Sequence, residues 1–205
     1  MKVIGLTGGT GSGKGIVSAY LKKKGAYIID ADQIAHDIIK RGMPAYEEIT
    51  QYFGGVILDE NRNILRKKLG SIVFVNKQKR DFLNHCTHKY IIEEIDRQIQ
   101  QEIQTQKHLC IVLDAPLLIE ANLQNRCDEI WVVFAKEEVR ARRVMQRDNI
   151  TYQDAKNRIG SQKNWQTYQQ YADLILDNSK DLQYLERQLE AALSERILKE
   201  NGEKL

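Results

Sequence analysis

At 205 residues the chain has room for one α/β unit of about 150 residues plus extra lobes, enough to bury a real core. Hydrophobic residues make up 42% and charged residues 29%, which excludes wholesale disorder, and no apolar run reaches the roughly 18 residues of a membrane span. Lys and Arg number 31 against 28 Asp and Glu, a net +3 that is too weak to imply nucleic acid by itself.

The first residues, MKVIGLTGGTGSGKG, turn glycine-rich after six positions, so no secretory signal is expected there. Lys2–Thr7 (KVIGLT) reads as a buried strand. Ile16, Val17, Tyr20 and Leu21 suit a helix that ends near Gly25, and Ala26–Ile29 is a second strand. Helical patterns follow over Gln33–Lys40 and Tyr46–Phe53, then a Gly54-Gly55 break and a polar turn over Asp59–Asn63. Arg66–Val75 predicts one or two short helices. Lys77–Gln106 is polar, with apolar residues at helical spacing, and fits one long helix or a hairpin of two. Leu109–Leu113 and Glu129–Phe134 are near-continuous apolar strands, as parallel, doubly covered strands are. Helices are predicted over Glu137–Arg147 and Tyr152–Lys163, a short strand over Asp173–Leu176, and a closing amphipathic helix over Leu182–Lys199. Five strands alternating with helices argue for an open parallel sheet covered on both faces.

Two imbalances call for explanation. Six of the 13 glycines lie between Gly5 and Gly15, and the window Lys136–Trp165 holds eight bases against four acids, net +4, leaving −1 for the rest. The three cysteines, Cys86, Cys110 and Cys127, are odd in number and far apart. They exclude a disulfide scaffold and a CxxC metal knuckle, and point to a reducing, cytoplasmic setting.

Gly8-Gly9-Thr10-Gly11-Ser12-Gly13-Lys14 follows the first strand and opens the first helix, with the G-x-x-x-x-G-K spacing of a P-loop. Successive backbone N–H groups must converge on phosphate oxygens there, and side chains would block the approach. The helix N-terminus adds partial positive charge, and Lys14 can reach the β- and γ-phosphates. The hydroxyl residue that usually follows the lysine and ligates Mg²⁺ is here Gly15, followed by Ile16, so the sequence assigns no protein ligand to the metal. The nearest string to the guanine-reading N-K-x-D is Asn76-Lys77-Gln78-Lys79, with Lys in place of Asp. A small-molecule kinase needs a phosphate loop, an acid near the acceptor hydroxyl and a basic lid, and the chain has a candidate for each. Asp30-Ala31-Asp32 ends the second strand: Asp30, with Gln33 three residues on, resembles a capping box, and Asp32 is the candidate base.

The succession GLTGGTGSGK, IIDADQIAH, Leu65-Arg66, DAPLLIE, RRVMQRD and the AD…DN pair resembles the dephospho-CoA kinase family, over nearly the whole chain and in order. The resemblance implies a P-loop NTPase fold: a three-layer αβα sandwich with a five-stranded parallel sheet and helical substrate-binding and lid lobes. It divides the single unit 1–205 into a core of about 1–32, 107–140 and 172–205, a substrate lobe of about 33–106 and a lid of about 141–171. It implies ATP as co-substrate with Mg²⁺, and dephospho-CoA as acceptor of a phosphoryl group on its ribose 3′-hydroxyl. No nucleic-acid or membrane partner is expected, and the chain is expected to be a monomer or weak homo-oligomer.

By the same resemblance Asp32 is the catalytic base, with Lys14 and Arg143 also catalytic. Gly9, Thr10, Gly11, Ser12, Gly13, Lys14, Gly15, Ile16, Arg147 and Asn178 bind the nucleotide. Asp32, Arg66, His88, Pro116 and Leu117 meet the acceptor. On sequence alone His88 reads rather as a helix-surface histidine, and Lys89 stands where the family often has proline. Arg66 could be a surface cation, Asp114 a metal-side acid or a cap, and Asn178 a cap or turn residue. Another small-metabolite kinase and a non-catalytic nucleotide switch are the rival readings.

Overall fold

A computed structural model describes residues 1–198. The last residue of the expected helix 182–199, and the end of the expected core stretch 172–205, lie outside the described residues. The chain divides into two compact units: Met1–Ile29 with the chain from Gln101 onward, and Asp30–Gln100.

The first unit is built on a five-stranded sheet in the order β2-β3-β1-β4-β5, with β1 Val3–Thr7, β2 Tyr27–Asp30, β3 Ile111–Asp114, β4 Glu129–Phe134 and β5 Leu174–Asp177. β1 is parallel to both neighbours, with Leu6 opposite Asp114 on one side and Trp131 on the other, and β5 is parallel to β4. β1 and β3 are buried throughout, as their unbroken apolar runs require. Helices α1 (Lys14–Lys23) and α9 (Leu182–Leu193) pack on the sheet through Val17 and Leu21, and Leu185 and Leu189, against Ile4, Leu6, Val112, Trp131 and Leu176. The i, i+4 spacing of Leu185 and Leu189 gives α9 one apolar stripe. Each such leucine contributes roughly 1.5–3 kcal/mol through burial. Gly5 marks a tight point of the sheet: a Cβ there would come within 2.8 Å of Cys127 Sγ and 2.9 Å of Leu118 Cδ2.

Expected and observed elements differ chiefly at their ends. β3 and β5 each close on an aspartate, Asp114 and Asp177, which an apolar criterion leaves outside the strand. The expected helix over Tyr152–Lys163 is α7 (Tyr152–Gly160), and a further helix, α8 (Trp165–Tyr171), follows it. α6 spans Glu137–Asp148, and α9 passes into a π-helical turn over Ser194–Leu198.

In the second unit α2 (Ala31–Asp37) and α3 (Pro44–Phe53) precede the turn at Asp59–Asn63, where Asn63 N–H donates to Asp59 Oδ1 at 2.7 Å. α3 buries Ala45, Tyr46, Ile49 and Phe53, and the Tyr52 and Phe82 rings stack at 3.8 Å. α4 is a single helix, Arg66–Val75. α5 runs unbroken over Lys77–Thr105, which decides between one helix and a hairpin. Asn76, first residue of the N-K-x-D-like string, accepts from Lys79 N–H at 3.0 Å, so the string is a helix start.

Candidate active site

The glycine-rich loop joins β1 to α1. Ser12 N–H donates back to Gly9 O at 3.0 Å, and Gly11 and Gly13 take φ of 77° and 93°, a left-handed conformation that glycine adopts without steric cost. Gly13 is the N-cap of α1, which has no side-chain cap and no acid in its first turn. That leaves the first amides of the helix, with the positive end of its dipole, available to an anion. Ser12 Oγ is buried without a protein partner.

Lys14 Nζ is ion-paired to Asp114 Oδ1 at the end of β3, both side chains largely buried. Asp114 is therefore the counter-ion of the loop lysine rather than a helix cap. A polyphosphate in the loop would compete with Asp114 for the amine.

The loop carbonyls are held from the other side. Arg143 on α6 donates to Gly11 O and Ser12 O at 3.4 and 3.3 Å, and to Asn178 O at 3.0 Å. Asn178, 3% exposed, donates from Nδ2 to Ser12 O at 2.8 Å. The cap of α9 is Asp181, which accepts from Tyr184 N–H, so Asn178 serves the loop and not the helix. Two residues that the sequence did not single out join them. Arg140 donates through Nε to Thr10 O at 2.9 Å, and Gln162 Oε1 accepts from Thr10 N–H at 2.7 Å. Burial draws the Arg140 guanidinium below its ordinary pKa. Arg140 stands one helical turn before Arg143, a readable signal. Gln162, in a polar segment, had none.

Not every expected residue reaches this cluster. Arg147 forms a two-pronged pair with its neighbour Asp148, at 2.8 and 2.9 Å, and its side chain is largely exposed. Ile16 is exposed, and its N–H donates to Gly13 O at 2.9 Å. Beyond β3, Pro116 O accepts from Thr7 Oγ1 at 3.3 Å, while Leu117 stands 58% exposed beside fully buried Leu118.

In the second unit Asp30 caps α2, accepting from Gln33 N–H at 2.9 Å, while the Gln33 side chain donates to Asp37 Oδ1 at 2.9 Å, so the cap forms without the reciprocal half of a capping box. Asp32 lies exposed in the first turn of α2, where the helix dipole favours a carboxylate. Arg66, first residue of α4, donates to His36 O at 3.1 Å and lines a cavity of about 400 Å³ with His36, Lys40, Arg41 and Gln33. Arg41 and Arg66, with Lys40 paired to Asp37 Oδ1 at 2.5 Å and His36 beside them, make the lining suited to an anionic ligand. His88 is exposed on α5 and does not line this cavity. No group of three or more His, Cys, Asp or Glu able to hold a metal occurs among the described residues.

The sequence profile of the dephospho-CoA kinase family matches residues 2–184. This chain belongs to the dephospho-CoA kinase family. A dephospho-CoA kinase of Carboxydothermus hydrogenoformans is 42% identical over 189 residues, 92% of this chain and 91% of that one. Among solved structures, a dephospho-CoA kinase from Campylobacter jejuni superposes with TM-score 0.74 at 28% identity, covering 97% and 98% of the two chains. The protein TT1252 from Thermus thermophilus superposes with TM-score 0.78 at 28% identity, covering 95% and 97%. Membership in the dephospho-CoA kinase family makes the chain an ATP-using transferase with a P-loop fold. A non-catalytic switch is thereby set aside.

Proposed function

We propose that the chain transfers the γ-phosphoryl group of ATP to the ribose 3′-hydroxyl of 3′-dephospho-CoA, giving CoA and ADP, with Asp32 as base and the Gly8–Lys14 loop as phosphate site. Family membership supports the substrate pair; the observation that carries the phosphate site is the uncapped glycine loop at the head of α1, with Lys14 beside it. The ribose 3′-oxygen attacks the γ-phosphorus in line. The bond to the β-phosphate oxygen breaks, ADP leaves, and the hydroxyl proton passes late to Asp32, because the transition state is loose. Lys14 shifts from Asp114 to the phosphates, and Arg143 adds positive charge where negative charge spreads. Arg66, with its basic cavity, is suited to the acceptor's anionic groups, and Leu117 offers an apolar contact.

Mg²⁺ fits this donor set as a nucleotide-borne ion. Asp114 supplies one carboxylate, Gly15 supplies no hydroxyl, and Mg²⁺ commonly keeps several waters while bridging phosphates. Bound that way, it would shield the polyphosphate charge. The three thiols are free, in keeping with a reducing cytoplasm, where we place the enzyme.

The decisive measurement is single-turnover transfer to dephospho-CoA by the wild type and Asp32→Asn. Removing the base is expected to cost about 10²–10⁴ in rate with ATP affinity unchanged. Near-normal turnover would assign Asp32 to the helix terminus alone.

A further inference from the structure

Both backbone polar groups of Thr10 are held by side chains far along the chain. Its N–H donates to Gln162 Oε1 at 2.7 Å, and its carbonyl accepts from Arg140 Nε at 2.9 Å. The ring closes because Arg140 also donates through Nη2 to the same Gln162 oxygen, at 3.3 Å. One amide oxygen therefore joins the phosphate loop to the α6 guanidinium.

The surroundings make this a built contact. Gly9 lets Arg140 in, since a Cβ at that position would run into the guanidinium. Gln162 is carried between α7 and α8, and α8 is fastened to the sheet. The Trp165 ring lies 4.5 Å from Phe134 at the end of β4, and Tyr168 is buried. Asn164 caps α8, accepting from Thr167 N–H at 2.9 Å. Gln162 thus sits on a braced segment.

The Gly11 and Ser12 carbonyls are held by Arg143 and Asn178, and with Ile16 N–H turned to Gly13 O the amides of Lys14 and Gly15, at the uncapped start of α1, are left for the anion. An amide's direction is set by the plane of its peptide. Fixing Thr10 at both its N–H and its C=O fixes two successive planes at the entry to the loop. A loop already in shape binds its ligand without the cost of ordering it.

We propose that Gln162 is a positioning residue for the nucleotide: its side-chain oxygen clamps Thr10 and Arg140 together and holds the phosphate loop in its binding shape. This rests on the reading of Gly8–Lys14 as the ATP phosphate site.

The test is equilibrium ADP binding at fixed Mg²⁺ for the wild type, Gln162→Met and Gln162→Asn, with Lys14→Met as the reference for the loop. Met matches Gln in length without a strong acceptor; Asn keeps the amide but falls one methylene short. Both are expected to weaken ADP by about tenfold, the order expected when a part-buried donor loses its partner. KM for dephospho-CoA should stay within about twofold, which a general loss of fold would not spare. Arg140→Met combined with Gln162→Met should lose little more than Arg140→Met alone, because both cut one ring. Wild-type ADP affinity in both Gln162 variants, with affinity lost in Lys14→Met, overturns the clamp and leaves the loop reading standing. Additive losses in the double variant also overturn it. Unchanged affinity in Lys14→Met overturns the loop reading, and the clamp with it.

Discussion

Gly15 is the loop residue whose replacement the structure permits. It is the second residue of α1, exposed, and outside the set of glycines with positive φ. A Cβ built there meets nothing within 4 Å. Gly15→Ala should therefore add no strain. It removes conformational freedom from the unfolded chain and improves helix propensity, a stabilisation of about 0.5–1 kcal/mol. For a chain of this size that raises the melting midpoint by about 1–4 °C. Gly15→Ser should also fold, and its hydroxyl supplies the oxygen that the loop lacks. The Mg²⁺ concentration for half-maximal rate, titrated at fixed ATP, should then fall below the wild-type value, with Gly15→Ala as the control for the side chain alone. A lower melting midpoint for Gly15→Ala would refute the packing argument. A higher Mg²⁺ requirement for Gly15→Ser, or loss of ATP binding, would show that the bound polyphosphate approaches the backbone too closely for any side chain.

The lid arginines should separate. Arg143→Ala removes the bonds to Gly11, Ser12 and Asn178 and should lower kcat/KM by about 10²–10³, whereas Arg147→Ala, whose partner is Asp148, should stay within about threefold. Steady-state kinetics decides, and equal losses would refute the distinction. Burial pushes the Cys110 and Cys127 thiols from 9.0 up to about 12, with Asp128 adding to the second. Neither should react with a thiol reagent at pH 8 until the chain is unfolded. Above about pH 9 the unfolded chain loses these protons while the folded one keeps them, so stability falls as pH rises from 9 toward 12, read as a falling denaturant midpoint.

Local signals in the sequence were enough for the features that local physics decides. β4 is legible because the apolar run Ile130–Phe134 follows Glu129 and is flanked by polar segments. The loop and the Asp30 cap are legible because their geometry is made by neighbours in the chain. The rest of the site is assembled by long-range contacts: Arg140 and Gln162 meet Thr10 from 130 and 152 positions away, and Asn178 meets Ser12 from 166. No periodicity reports such a meeting. Arg147 shows the opposite case: its motif placed it at the nucleotide, but its side chain pairs with the carboxylate one residue on. α8 is hard to read because it is only seven residues long, although its three aromatics, Trp165, Tyr168 and Tyr171, recur every third residue and Asn164 with Thr167 three residues on forms a readable cap.

The glycines of the loop answer to two different demands. A Cβ at Gly9 would strike the Arg140 side chain, one at Gly11 would come within 2.7 Å of the Arg140 carbonyl, and one at Gly13 would collide with Asn178. These collisions are with protein, on the side from which Arg140, Arg143 and Asn178 grip the loop. The usual account, that glycine lets backbone amides approach phosphate, covers only the other side. Here the absence of side chains first lets α6 and Asn178 reach the loop carbonyls. With the carbonyls so held, the amides at the head of α1 are left for the ligand. Gly15 lies past that grip, inside the helix, with open space around it. Its missing hydroxyl therefore does not follow from packing against the protein.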